Sequence, residues 1–523
     1  MGFQKELIMN WKKEIDELRK REKLSEKMGG AEKLKKQKEN NRLNIRERIK
    51  KLLDDKSFHE IGKIAGNAQY NKTGDLENFT PANFIVGRGK INKKNVVIGG
   101  DDFTVRGGAA DASIREKQIM AEQMANELQL PLIRLIEGTG GGGSVKSIDT
   151  DSRTYIPANP GWEWVIDNLS TVPVIALGLG PVAGLGAARL VTSHFSIMVE
   201  NVSQLFIAGP PVVKRLGQDL TKEELGGSEI HSKNGAVDIF VKSEDEAFEI
   251  TKKILSYLPQ SVYELPQRGE KTDDPERKDE WLLEAIPKDR RKIYKMRKII
   301  NTLVDKKSFI EVGKNYGQSV ITGLARVDGW PVALLAGDPY YYGGGWTADS
   351  SNKVTRFIDV AETFHLPVIN LVDNPGFLIG LQSEKQATIR HGARALAAVY
   401  QATVPWCSVI IRKVFGVAGA AHMNASRYHY RFAWPSGDWG SLPVEGGIEA
   451  AYKSDLEKSD NPELLLKEIE EKMEKVRSPF RTAEAFIAEE IIDPRDTRKY
   501  LSEFVNLTSK LRKKGKTKFG LRP

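Results

Sequence analysis

The chain has 523 residues and a formal net charge of +9, with 40% hydrophobic and 28% charged residues. That length exceeds one ordinary core and predicts two or three domains, while the composition excludes fibrous and disordered classes. No run approaches the roughly 18 apolar residues of a spanning helix, and the lone Cys407 excludes an intrachain disulfide framework and a cysteine-rich zinc site.

The first residues hold no apolar run of signal-peptide length, so the cytoplasm is the expected compartment. Ile8, Trp11, Ile15 and Leu18 recur at three and four residues and predict a helix over 4–28, closed by Gly29-Gly30. A second basic helix is expected up to Leu53. Much of the basic excess lies in Arg19–Lys51 and Lys510–Arg522. Acidic residues are interleaved and no RNA motif or reading helix accompanies the charge, so these are read as solvated faces and not a nucleic-acid surface. From Ser57 onward, β-rich runs such as Asn95-Val-Val-Ile alternate with helical stretches such as 113–128 and with glycine turns. That order predicts an α/β architecture.

The chain then repeats itself. Ile49-Lys-Lys-Leu-Leu-Asp-Asp-Lys-Ser-Phe-His-Glu-Ile-Gly-Lys63 returns as Ile300-Asn-Thr-Leu-Val-Asp-Lys-Lys-Ser-Phe-Ile-Glu-Val-Gly-Lys314. Pro131-Leu-Ile-Arg-Leu-Ile-Glu137 returns as Pro367-Val-Ile-Asn-Leu-Val-Asp373, and the same register sets Lys117 opposite Lys353. Thr171-Val-Pro-Val matches Thr403-Val-Pro-Trp. Three matches in one order mark a tandem duplication. The polar, proline-rich stretch Leu258–Arg290 reads as a crossing linker, which puts the expected domains at 1–275 and 276–523.

Each half carries two glycine-rich turns after a strand. The first half has Gly138-Thr-Gly-Gly-Gly-Gly-Ser144 and then Val174-Ile-Ala-Leu-Gly-Leu-Gly-Pro-Val-Ala-Gly-Leu-Gly186. The second has Asn374-Pro-Gly-Phe-Leu-Ile-Gly380 and then Val409-Ile-Ile-Arg-Lys-Val-Phe-Gly-Val-Ala-Gly419, so Gly184 falls opposite Gly416. A strand that turns through small residues into a helix leaves backbone N–H groups free for a phosphate or an oxyanion; the bland alternative is tight packing of helix on sheet. Neither turn is a phosphate-binding P-loop, and the dinucleotide fingerprint is unconvincing. The seven histidines are scattered without metal-ligand spacing, so no bound metal is expected. Cys407 sits in an apolar strand and reads as an inert core thiol.

These residues resemble the carboxyltransferase (β) subunits of biotin-dependent acyl-CoA carboxylases. The resemblance covers roughly residues 10–505 and rests on Asp102-Phe-Thr-Val-Arg-Gly-Gly-Ala, Glu224-Leu-Gly-Gly-Ser-Glu-Ile-His231, Asp373-Asn-Pro-Gly-Phe377, Ile389-Arg-His-Gly-Ala393 and Arg412-Lys-Val-Phe-Gly416. It implies a tandem pair of crotonase-like domains, the first on the acyl-CoA side and the second on the biotin side. It also implies a mechanism in which carboxybiotin releases CO2, the biotin enolate takes the α-proton of the acyl-CoA, and the acyl-CoA enolate attacks the CO2. Backbone oxyanion holes at Gly184 and Leu185 and at Val417 and Ala418 would serve the two enolates. The resemblance further places Phe103, Gly107, Gly108, Gly140 and Gly141 at the acyl-CoA, Phe377 and Gly416 on the biotin side, and Ala420 in the substrate pocket.

This chain departs from the usual pattern in having Gly184-Leu185 for Gly-Gly and Gly416-Val-Ala418 for Gly-Gly-Ala. It also has Ala420 where carboxylases of short acyl groups often carry an aspartate, and a glycine run at 138–143 for Ser-Gly-Gly-Ala-Arg. No Met-Lys-Met biotinylation motif or ATP-binding module is legible. The implied partners are therefore a separate biotin carboxyl carrier and a biotin carboxylase, within a homo-oligomer of hexamer type. Propionyl-CoA and acetyl-CoA are the expected substrates. The alternatives are the α subunit of a methylmalonyl-CoA or glutaconyl-CoA decarboxylase or a transcarboxylase, a decarboxylase being the one case that brings a membrane partner, and a non-catalytic acyl-CoA-binding scaffold.

Overall fold

The computed structural model describes residues 10–109, 114–138, 152–154, 156–423, 428, 430–509 and 511–521, apart from the side chains of 444–446. The chain divides into two compact units, Met1–Ile230 with Phe240–Lys252 and His231–Ile239 with Lys253–Pro523.

The first unit begins with α1 (Lys12–Glu26), α2 (Ala31–Glu39) and α3 (Ile45–Leu52). The expected second helix is thus two, separated where Asn44 caps α3 in a reciprocal box with Glu47. Trp11 and Ile15, on the expected apolar face of the first helix, are exposed. The sheet follows: β1 (His59–Ile61), β2 (Phe84–Ile91), β3 (Lys94–Asp101), then after α4 (Arg115–Glu127) β4 (Leu132–Gly138), β5 (Val174–Ala183), and after α5 (Leu185–Val191) β6 (Phe195–Val199), β7 (Gln204–Phe206) and β8 (Ile239–Val241). Its order is β1-β2-β3-β4-β5-β6-β8, with β7 beside the far end of β5. The first two pairings are antiparallel; β3 to β6 run parallel. Every residue of β4 is buried, as expected of a parallel strand covered on both faces.

The second unit repeats this plan. Strands β9 (Ile310–Val312), β10 (Val320–Val327) and β11 (Trp330–Gly337) lead through α6 (Ala348–Thr363) to β12 (Val368–Asn374). Then α7 (Thr388–Gln401), β13 (Trp406–Phe415) and α8 (Gly416–Ala420) precede β14 (Tyr430–Ala433) and β15 (Asp438–Gly440). The order is β9-β10-β11-β12-β13-β14, with β15 beside β13. Ile369, Leu371, Val409, Trp434 and Phe504 are among the residues that form its core.

The duplication extends to single contacts. Arg46 pairs with Glu60 at 2.8 Å and Arg297 with Glu311 at 2.6 Å. Asp54 accepts the amides of Asn92 and Lys93 at 2.9 and 2.8 Å, and Asp305 those of Asp328 and Gly329 at 3.0 and 2.8 Å. Lys117 donates to the Gly62 carbonyl at 3.1 Å, and Lys353 to the Tyr316 and Val320 carbonyls at 3.0 and 2.6 Å. Burial brings the Lys353 ammonium down to about 7. Strand register breaks between Ile136 and Gly138 in one half and between Val372 and Asn374 in the other.

The stretch read as a linker packs inside the second unit. Gly269 donates to the Gly329 carbonyl at 2.9 Å, Arg268 to the Asp328 carbonyl at 2.8 Å, and Arg498 to the Asp274 carbonyl at 2.7 Å. The expected boundary near residue 275 therefore falls within that unit.

Below the end of β4, Arg48 is 1% exposed and joins Glu137 to Glu244, the latter at 2.8 Å. Removing a buried charge partner leaves its counter-ions desolvated, so Arg48→Met should cost about 3–5 kcal/mol. A urea midpoint equal to that of the unaltered chain would show that the cluster adds no stability.

Candidate functional site

In the first unit β5 ends at Ala183, and Gly184 turns the chain with φ 59° into α5. Only glycine enters that backbone region at little cost. The Gly184 amide donates to the Phe206 carbonyl at 3.3 Å, so Gly184 shapes the turn and Leu185 is the first helical residue. The amides that open a helix have no partner within it, and the Leu185 side chain is 38% exposed beside them.

The marker around Gly226 explains how Phe206 is held. A Cβ on Gly226 would strike the Leu205 carbonyl, so the small residue lets that turn close onto β7. Phe103 lies under the Arg42 guanidinium, 5.0 Å from its ring centroid. Gly107 and Gly108 form a short turn with φ 63° and 67°, and a Cβ on Gly108 would strike the Glu137 carbonyl. Gly140 and Gly141 lie outside the described residues.

In the second unit β13 ends at Phe415 and Gly416 turns the chain with φ 60° into α8. Val417 is 58% exposed, whereas the Ala418 side chain is fully buried. Ala420, at the end of α8, is exposed. Gly343 and Gly344, opposite Gly107 and Gly108, have φ 61° and 90°, and a Cβ on Gly344 would strike the Asp373 carbonyl. The Phe377 ring lies edge-on to Trp346 with centroids 6.2 Å apart and rests where a Cβ on Gly392 would be, which accounts for the glycine after His391.

The two strand ends carry carboxylates held differently. Glu137 is gripped by Arg48, Arg42 and Gln37, whereas Asp373 accepts from the Tyr294 hydroxyl at 2.7 Å, from Arg412 and from the Lys413 amide at 3.0 Å.

One cluster escapes sequence reasoning. His422, just after α8, has a buried ring between the amides of Asn370 at 3.0 Å and Asn374 at 2.8 Å, with Trp346 edge-on at 5.1 Å. Its carbonyl accepts from Trp406 Nε1 at 3.1 Å and Ser408 Oγ at 3.0 Å. Burial lowers its imidazole to about 3, so it stays neutral near pH 7 and is a poor proton acceptor. The signal available beforehand was two asparagines beside Asp373 in a strand whose other residues are apolar.

Cys407 is fully buried in β13 opposite Ile369, and burial pushes its thiol well up. Cys407→Ala should leave kcat near that of the unaltered enzyme; a large loss in steady-state turnover would give the thiol a chemical role. Among the described residues no group of three or more His, Cys, Asp or Glu could hold a metal, and no helix is long and apolar enough to cross a membrane.

What remains at both turns is backbone: the equivalent glycines Gly184 and Gly416, both with positive φ, feed helices whose leading amides are free of helical partners. The carboxyl transferase domain matches residues 36–521. The chain belongs to that family. It is a carboxyltransferase. The propionyl-CoA carboxylase carboxyltransferase subunit of Haloferax mediterranei is 31% identical, over 97% of this chain and 98% of that protein. The methylmalonyl-CoA carboxyltransferase 12S subunit of Propionibacterium freudenreichii is also 31% identical, over 94% of each chain. A solved transcarboxylase 12S, described as a hexamer assembly with methylmalonyl-coenzyme A bound, superposes with a TM-score of 0.86 at 29% identity, covering 98% of this chain and 99% of that one. The fold of this carboxyltransferase is accordingly a tandem crotonase-like α/β duplication.

Proposed function

We propose that this carboxyltransferase moves a carboxyl group between biotin, carried on a separate protein, and the α carbon of a short acyl-CoA, with propionyl-CoA or acetyl-CoA as acceptor. The first half serves the acyl-CoA and the second the biotin. The observation that carries the reading is the pair of equivalent turns at Gly184 and Gly416, with φ 59° and 60°. Carboxybiotin supplies the carboxyl group and, once that group has left, the base that takes the α-proton.

The chain supplies hydrogen-bond donors. The Leu185 amide, set by the Gly184 turn, holds the thioester oxygen as it becomes an enolate. The Val417 and Ala418 amides hold the ureido oxygen. Such donors act without reorganising as charge develops, each worth about 10²–10³ in rate. The neutral His422 and the protonated Cys407 leave proton transfer to the substrates. Phe103, Gly107 and Gly108 belong to the acyl-CoA side, and Phe377 to the biotin side. The working assembly is a hexamer that meets a biotin carboxyl carrier and a biotin carboxylase in the cytoplasm.

The test uses purified protein with free biotin as surrogate acceptor and methylmalonyl-CoA or malonyl-CoA as donor. Biotin-dependent appearance of propionyl-CoA or acetyl-CoA is expected. Binding of both esters without any biotin-dependent turnover would favour a scaffold instead. Ala420→Ile should narrow the acyl pocket and move the preference towards acetyl-CoA; an unchanged substrate profile would remove Ala420 from the pocket.

A further inference from the structure

The first unit contains a cavity of about 120 Å³ that the two oxyanion turns do not explain, lined in part by Arg115, Gln118, Ile119, Trp162, Leu185 and Arg189. That is space for several water-sized groups. Its walls combine an apolar side with two guanidinium groups, the primary amides of Gln118 and Asn159, and the carboxylate of Glu122, which Arg134 already neutralises at 2.7 Å.

Arg189 is the unusual member. It is 6% exposed, yet its guanidinium donates no hydrogen bond to any described residue. Glu122 lies 3.8 Å away, beyond hydrogen-bond reach. Both Glu122 oxygens are already engaged, by Arg134 at 2.8 and 2.7 Å and by Asn168 at 3.2 Å. The Phe84 ring, 5.6 Å from the guanidinium carbon, offers a π face and no acceptor. Asp101 is near enough to act on Arg189 electrostatically but makes no ion pair with it. Burial raises the Asp101 carboxyl to about 6, which leaves it largely ionised near neutrality, so it offsets part of the Arg189 charge at a distance without satisfying its N–H groups. A guanidinium that lines a cavity and meets no hydrogen-bond acceptor of the protein keeps its donors available to an anion that enters.

Position gives the ligand. Leu185 and Arg189 are four residues apart in α5 and share one face. Both line the cavity. A group whose thioester oxygen meets the Leu185 amide therefore has Arg189 about one helical turn away on the same cavity wall.

We propose that this cavity binds a carboxylate carried on the acyl group of the coenzyme A thioester, with Arg189 as its buried counter-ion and Arg115 and Gln118 as further donors. The inference rests on the acyl-CoA reading of the first half. The carboxylate has two possible sources. It is either the one that the reaction places on the α carbon, or one at the far end of a dicarboxylic acyl chain. In the first case Arg189 favours the carboxylated ester; in the second it selects the acyl group.

The experiment is equilibrium binding of propionyl-CoA, methylmalonyl-CoA and glutaryl-CoA to the full chain, followed by calorimetry. At least one carboxylated ester should bind about tenfold to a hundredfold tighter than propionyl-CoA, the range expected of hydrogen bonds to a charged group. Methylmalonyl-CoA as the tighter ligand identifies the α-carboxylate, and glutaryl-CoA the far-end one. In Arg189→Met the affinity ratio should fall towards one, and Arg189→Lys should restore part of it. If Arg189→Met melts early, the exposed Arg115→Gln takes its place and should lower the ratio severalfold; an unchanged ratio there overturns the proposal. Equal affinities in the unaltered chain also overturn it. If none of the three esters binds, the acyl-CoA reading fails, and not only this extension of it.

Discussion

Leu185→Pro is expected to lower kcat for biotin-dependent turnover by about 10²–10³, the cost of one oxyanion donor. The site tolerates proline in every other respect. Leu185 is the first residue of α5, where proline is favoured because its missing N–H has no helical partner. Gly184 before it has ψ −123°, outside the helical region that a following proline disfavours. The side chain is 38% exposed, so little packing is lost. The variant should therefore melt like the unaltered enzyme while losing rate. Leu185→Gly, which keeps the amide, should stay close to the unaltered enzyme. Full turnover by Leu185→Pro would discard the assignment of this amide.

Ala418→Pro should cause a loss of similar size through the second half. Ala418 lies in the first turn of α8, so no helical hydrogen bond depends on its amide. Its methyl is fully buried, however, and the larger ring brings an overpacking cost of about 1–3 kcal/mol. Ala418→Val supplies comparable bulk with the amide intact and separates the two effects. If the donor matters, Ala418→Pro loses turnover beyond Ala418→Val while acyl-CoA affinity, which we propose for the first half, is retained. Equal activity in the two variants would show that only space is at stake.

The duplication was legible because its repeats are local. Ile49–Lys63 and Ile300–Lys314 carry the end of a helix, the acidic turn and the edge strand in one stretch, and the turn and strand recur contact for contact. The α/β alternation followed from strand and turn composition. Less legible was anything that depends on strands distant in sequence. Gly184 looked like a donor, yet its amide is taken by Phe206, because β7 returns beside β5. The carboxylates Glu137 and Asp373 are equivalent, but their cations come from different elements, α3 and the segment before it in one half and β13 in the other. No spacing rule finds such partners. The polar stretch 258–290 resembled a linker because its anchors are backbone carbonyls, a few arginines and scattered apolar residues such as Leu282, which average composition does not register. His422 and Arg189 were hidden for a related reason: each is a polar residue in an apolar segment, and only the fold decides whether it is satisfied.

The central claim is carboxyl transfer between an acyl-CoA and biotin on two backbone sites. It is tested most directly by incubating the purified chain with methylmalonyl-CoA labelled in its free carboxyl group and with biotin, then following the label. Label appearing in carboxybiotin, with equal formation of propionyl-CoA and sharply less of both in Leu185→Pro and Ala418→Pro, is the predicted result. Propionyl-CoA formed without biotin and without labelled carboxybiotin, at rates that neither variant changes, would contradict it.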